Sequence, residues 1–195
     1  MSRTSHIHRV TGETDVSLSL GLDGSGTGER ETGVAFFDHL LDAVARHGGL
    51  DLDVGVRGDL ETGPHHTVED TGIALGQALD EALGDRSGIV RFGHALVPMD
   101  EARAACALDL SGRPFLAFEG EFPAERVGDF DTDLAEEFLR AVANAAKLTL
   151  HVTVEEGTNA HHMVEVSFKA FARALRQAIA EDPRVQGVPS TKGLL

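Results

Sequence analysis

The sequence predicts an α+β protein made of an internally duplicated half-domain, each copy a sheet packed against helices in two layers about a pseudo-twofold. Two observations predict it. Segments alternating with period two, as half-buried strands do, and segments with apolar residues at helical spacing occur in the same order in both halves of the chain. The second observation is a repeat. Aligning His65 with His161 without gaps also pairs His66 with His162, Val68 with Val164, Glu69 with Glu165, Ala74 with Ala170, Ala78 with Ala174, Leu79 with Leu175 and Ala82 with Ala178. Alanines can match by composition; a repeated H-H-x-V-E does not. The 195 residues therefore read as one domain of two repeats, approximately 1–90 and 91–187, followed by a tail, 188–195.

The elements follow in order. HIHRVTG and TDVSLSLGL alternate as strands. Gly21 to Thr32, rich in Gly, Ser, Asp and Glu, reads as a turn or loop; its GSGTG run opens no apolar-periodic helix and so is no nucleotide-binding fingerprint. Phe36, Leu40, Leu41 and Val44 recur at helical spacing until Gly48 and Gly49 stop the run. LDLDVGVRG alternates as a strand. After Pro64 a helix carries Val68, Ile73, Leu75, Leu79 and Leu83 and ends at Gly84. RFGHALVPM, ARAACALDL and PFLAFEG read as three strands, about Leu134 to Ala146 as a helix, and LTLHVTV as a strand. HHMVEVSFKAFARALRQAIA is a last helix, stopped near Pro183, and the tail is irregular.

Composition narrows the function. Thirty-two acidic against 17 basic side chains leave a formal charge of −15, which disfavours nucleic-acid and anionic-membrane partners, since both need a dominant basic face. No apolar run approaches the roughly 18 residues of a membrane span. The start lacks the apolar core of a secretory signal, and the single cysteine, Cys106, suits a reducing compartment. A cytoplasmic setting is expected. Ten histidines without one Trp or Tyr are the oddity to pursue.

H-H-x-x-E occurs twice, each time at a helix start. On a helix His65 and Glu69 share a face, as do His161 and Glu165, while the second histidine of each pair is rotated by roughly 100°. The economical arrangement is two sites, each completed by ligands from elsewhere; His39, in FFDHLL, is one candidate. Imidazole with carboxylate and no thiolate suits manganese, iron or zinc. The pattern is not H-E-x-x-H and gives no support to a zinc protease.

FFDHLL, HGG, HHTVEDTGIALGQAL, NAHHMVEVSFKAFARAL and the terminal PSTKG resemble imidazoleglycerol-phosphate dehydratases, over essentially the whole chain. The resemblance implies two packed α/β half-domains, a small-molecule phosphate substrate, assembly into a homo-oligomeric shell of about 24 subunits, and two Mn ions per active site at subunit interfaces. The ligands it implies are His39, His65, His66, Glu69, His161, His162 and Glu165, with Glu137 where many members have histidine. The repeat suggests that His65, Glu69, His162 and Glu137 serve one ion and His161, Glu165, His39 and His66 the other. Ala43 stands where glutamine is common.

The implied reaction removes water from imidazole glycerol phosphate to give imidazole acetol phosphate in histidine biosynthesis, through a metal-bound imidazolate and a diazafulvene-like intermediate. Metals would act as Lewis acids on the ring nitrogens. Glu13 matches the family's general acid/base position; His47 and Asp100 match positions near the reacting carbons. Arg91, Arg113, Lys169, Ser190 and Lys192 match phosphate-binding positions, where arginine offers a bidentate fork. His6, His8, His94 and His151 read as strand residues without a role. Two other classes remain open: a non-catalytic metal-binding shell, which needs no phosphate clamp, and a metal-dependent phosphate-ester hydrolase.

Overall fold

A computed structural model describes residues 3–195. The first half runs β1 (Thr4–Val10), β2 (Thr14–Gly21), β3 (Arg30–Glu31), α1 (Ala35–Gly48), β4 (Asp51–Gly58) and α2 (His65–Leu83). The second runs β5 (Phe92–Met99), β6 (Ala102–Asp109), β7 (Phe115–Glu119), β8 (Arg126–Val127), β9 (Phe130–Asp131), α3 (Leu134–Ala145), β10 (Thr149–Glu156) and α4 (Ala160–Ala178). The two main sheets have matching strand orders, β1-β2-β4-β3 and β5-β6-β10-β7. In each, antiparallel neighbours are joined at one edge by a strand parallel to its partner, β3 to β4 and β7 to β10. This is the duplicated α+β architecture that the periodicities predict.

The differences lie at short elements. β3 forms inside the segment read as a loop, because Leu52 N–H donates to Thr27 O and Val54 N–H to Glu29 O, drawing the chain alongside β4. The two-residue pair β8–β9 carries too little pattern to be visible in sequence. α4 ends at Ala178, short of Pro183, where the chain turns to bridge Ile89 and Glu181.

α2 packs on β1 and β2, and α4 on β5 and β6, burying the apolar stripe of each helix. The halves then meet helix to helix in exchanged pairs: α2 lies against α3, and α1 against α4. Gly72 and Gly76 make the first contact possible; a Cβ on Gly76 would sit 2.6 Å from Ala145 Cβ and 2.7 Å from the Val142 carbonyl oxygen. Phe37, Phe130, Phe138, Phe168 and Phe171 are fully buried in one shared core, with the Phe138 and Phe168 rings stacked at 5.2 Å. Asp80 ties the far ends of α2 and α3 through Arg86 and Lys147. No helix among the described residues is long and apolar enough to cross a membrane.

Candidate active site

The exchanged packing matters because it delivers α1 side chains to α4. Asn159 caps α4, its side chain accepting from His161 N–H at 3.0 Å, which fixes the first turn. His161 and Glu165 then share a face, with His161 Nε2 3.1 Å from Glu165 Oε2. His39, from α1, places its Nε2 3.1 Å from the same oxygen. The donor atoms of these three residues all lie within 4.8 Å of one another, the one such group among the described residues. Two imidazoles and a carboxylate converging on a point suit a divalent cation of intermediate hardness. Phe36 lines the group, its ring 4.7 Å from that of His161.

Glu165 is buried, with its other oxygen 2.7 Å from Lys169 Nζ. Burial works against its ionisation, but hydrogen bonds and charge from Lys169 and His39 outweigh it and bring the carboxyl to about 2. It is a fixed anion at any working pH. His47, at the end of α1, is held below the ordinary histidine value by burial and by the neighbouring cations Lys169 and Arg173.

The second histidine of each motif has a hydrogen-bonded carboxylate at Nδ1 and a more distant one beyond Nε2. His66 Nδ1 lies 3.0 Å from Asp59 Oδ2, and its Nε2 3.6 Å from Glu13. His162 Nδ1 lies 2.7 Å from Glu101 Oε2, and its Nε2 3.8 Å from Asp100. The hydrogen bond donated to Asp59 raises the His66 pKa, and that donated to Glu101 raises His162. Glu101 is lowered to about 2 by His162 and by the amides of Thr158 and Asn159. Glu13 occupies the β1–β2 turn, and Asp70 on α2 anchors that turn: it accepts from Thr14 and from Thr11 (3.4 Å) and pairs with Arg9 at 2.7 Å.

Other candidates stand apart within one chain. His65 Nε2 and Glu69 Oε2 are 3.7 Å apart, with no third donor in reach among the described residues. Glu137 is half-buried on α3, and Ala43 is buried on α1. Arg91 is engaged by Asp109 at 2.7 and 3.0 Å and donates to Pro189 O at 2.7 Å, drawing the tail with Ser190 and Lys192 toward it. The end of that tail lies by Gly112, next to Arg113. Lys169 is occupied by Glu165. His6 and His8 bond to Ser19 and Asp15 on the outer face of the first sheet, consistent with strand residues.

A sequence profile of the imidazoleglycerol-phosphate dehydratases matches residues 32–175. The chain belongs to this family. An imidazoleglycerol-phosphate dehydratase from Moorella thermoacetica is 58% identical over 195 residues, covering all of both chains, and one from Gluconacetobacter diazotrophicus is 57% identical over all of this chain and 98% of its own. A Staphylococcus aureus crystal structure of the same family superposes with TM-score 0.84 at 40% identity, over 92% of this chain and 99% of the other. A Pyrococcus furiosus structure gives TM-score 0.84 at 36% identity, over 97% and 100%. As a family member the chain is a hydro-lyase, acting on imidazole glycerol phosphate in histidine biosynthesis.

Asp59, Asp70 and Glu101 escaped sequence reasoning. Their signal was weak: each is an acidic residue at the edge of a strand or inside a helix pattern, positions where solvated carboxylates are common. Only the return of β4 and of the β5–β6 turn to the helix starts gives them partners.

Proposed function

We propose that the dehydration is manganese-dependent, with two ions per active site, and that the convergence of His39 and His161 on Glu165 is one half of the metal-binding set. His65 and Glu69 form a similar pair on α2 that needs further donors, and we assign these to neighbouring copies in a shell of about 24 subunits. Glu137, His66 and His162 complete the ligand list. The donor chemistry supports this: imidazoles and ionised carboxylates without thiolate. Bound manganese supplies Lewis acidity toward the substrate's imidazole ring.

The remaining work falls to this chain's own side chains. The hydroxyl on the carbon beside the ring must leave as water, and a proton must come off the next carbon. Removal of the ring N–H proton and departure of that hydroxyl, protonated to water, would give a neutral diazafulvene-like species. Loss of the proton from the next carbon and return of one to the ring would then give an enol that becomes imidazole acetol phosphate. Glu13 is exposed, flanked by anchored threonines and unoccupied by any basic partner closer than His66, so its carboxylate can move a proton at carbon. Asp100, exposed on the β5–β6 turn, and His47, whose protonated form burial and the neighbouring cations disfavour, relay protons. Arg113, Lys192 and Ser190 hold the phosphate, with Arg91 and Lys169 behind them. A cytoplasmic location follows from the pathway role assigned.

The test is turnover of imidazole glycerol phosphate by Mn-loaded and chelator-stripped protein. The acetol product should form only with metal and return on adding Mn²⁺. Bound metal without product would identify a storage or sensing shell, and release of inorganic phosphate would identify a hydrolase; either result overturns the proposal.

A further inference from the structure

Asp59 and Glu101 make the same contact in the two halves from positions that are not equivalent. Glu101 stands immediately before β6, as Glu13 stands immediately before β2, so the duplication places a glutamate at the same point in each copy. In the second half that glutamate turns to Nδ1 of His162 at 2.7 Å, anchored by the Thr158 and Asn159 amides at 3.1 and 2.8 Å. In the first half Nδ1 of His66 is met instead by Asp59, which follows β4. Asp59 is delivered there by a tight strand end: a Cβ on Gly58 would lie 2.1 Å from Thr67 Oγ1 on α2. The residue following β10 is Gly157, with no side chain to offer.

We propose that Asp59 and Glu101 are positioning residues that hold His66 and His162 as Nδ1–H tautomers, so that each ring presents an unprotonated Nε2 as a metal ligand. A carboxylate only accepts, so Nδ1, within hydrogen-bond distance of Asp59 or Glu101, carries the proton. Glu13 and Asp100 lie too far from Nε2, at 3.6 and 3.8 Å, to take a hydrogen bond from it, and leave it the lone pair. Such an outer carboxylate fixes ring orientation and raises ligand basicity. The assignment also accounts for Glu13. With Asp59 holding the ring, the first-half glutamate is released from that duty and stays exposed on the Nε2 side, where reacting atoms can reach it. The duplicated halves have thus divided one position into a fixed orienting group and a free acid/base. The inference rests on the metal-site reading above, and its test separates the two.

The whole protein is stripped of metal and titrated with Mn²⁺, free ion being followed by electron paramagnetic resonance. Wild type is compared with Asp59→Asn, Asp59→Ala, Glu101→Gln, Glu101→Ala, His66→Ala, His162→Ala and the neighbouring control Glu61→Gln. The alanine variants should lose about 10–100-fold in Mn²⁺ affinity. Asn and Gln, which still accept from Nδ1–H but carry no charge, should fall between, and saturating Mn²⁺ should restore kcat in all four. Glu61→Gln should match wild type. If His66→Ala and His162→Ala bind Mn²⁺ as wild type does, the metal-site reading fails. If those two lose affinity while the Asp59 and Glu101 variants keep it, the positioning role is overturned and the site reading stands. A kcat that stays low at saturating Mn²⁺ in the near-isosteric Asn and Gln variants also overturns it.

Discussion

Replacing Gly76 by alanine tests the contact on which the exchange of helices between halves depends. The added Cβ would lie 2.6 Å from Ala145 Cβ, 2.7 Å from Val142 O and 2.9 Å from Ala146 N. Carbon contacts settle at about 3.5–4.0 Å, so α2 and α3 would have to separate by roughly 0.9 Å or more. Two of the three obstructing atoms are backbone, which no rotamer change can clear. Overpacking of this kind costs about 1–3 kcal/mol, whereas alanine in a helix interior gains about 0.8–1.0 kcal/mol over glycine. The balance runs from about zero to a loss of about 2 kcal/mol. For a chain of this length that is a fall in Tm of up to about 8 °C. Thermal unfolding by circular dichroism, at one protein concentration because self-association shifts Tm, measures it. Gly55→Ala is the control, since a Cβ there meets nothing within 4 Å. A Gly76→Ala protein more stable than wild type by the full helix-propensity gain of about 0.8–1.0 kcal/mol would refute the close approach of α2 and α3.

Three further outcomes follow from particular side chains. Arg113 has no salt bridge among the described residues and spends one Nη1–H on its own Ser111 carbonyl at 3.2 Å, so Arg113→Ala should raise KM strongly while bound metal, measured by elemental analysis, is unchanged. Asn159→Ala removes the acceptor for His161 N–H and should cost about 0.5–2 kcal/mol in denaturant unfolding, as other lost caps do. His47 should titrate below the ordinary histidine value; because Arg173 disfavours its protonated form, Arg173→Ala should move the midpoint up toward 6.5, followed by histidine NMR, and an unmoved midpoint would contradict the placement of Arg173 beside it.

Legibility in the sequence tracked how locally each feature is determined. α1, α2, α3 and α4 have apolar stripes that no other local structure would bury, and β1, β2, β4, β6 and β10 alternate because one face of each is covered. The repeated H-H-x-x-E was legible for the same reason: residues four apart on a helix must share a face. What could not be read is which helix lies across which. Gly72 and Gly76 are visible as glycines, but only α3 lying on them explains them, and only α1 lying on α4 brings His39 to Glu165. The carboxylates at Nδ1 belong to this second class. Asp59 is an ordinary acidic residue after a strand until Gly58 passes against Thr67.

The charge balance sets which cations are free to take a phosphate. In a chain with a net charge of −15, most basic groups already have anionic partners. Arg91 is held by both oxygens of Asp109, and both side chains are largely buried, so parting them would leave a carboxylate without its counter-charge in a poorly solvated place. A substrate phosphate gains little by displacing it. Lys169 is bound in the same way to buried Glu165. Arg113 and Lys192 have no such partner among the described residues, and Arg91 reaches the tail through Pro189 O while still paired. On the proposed phosphate assignment, Arg91 would act at one remove, by setting where Ser190 and Lys192 lie, and Arg113 with Lys192 would carry the direct charge. Removing Arg91 should then raise KM and loosen the tail together, seen as faster proteolysis after Lys192, whereas removing Arg113 should raise KM alone. Equal cleavage in both variants would mean that Arg91 does not anchor the tail.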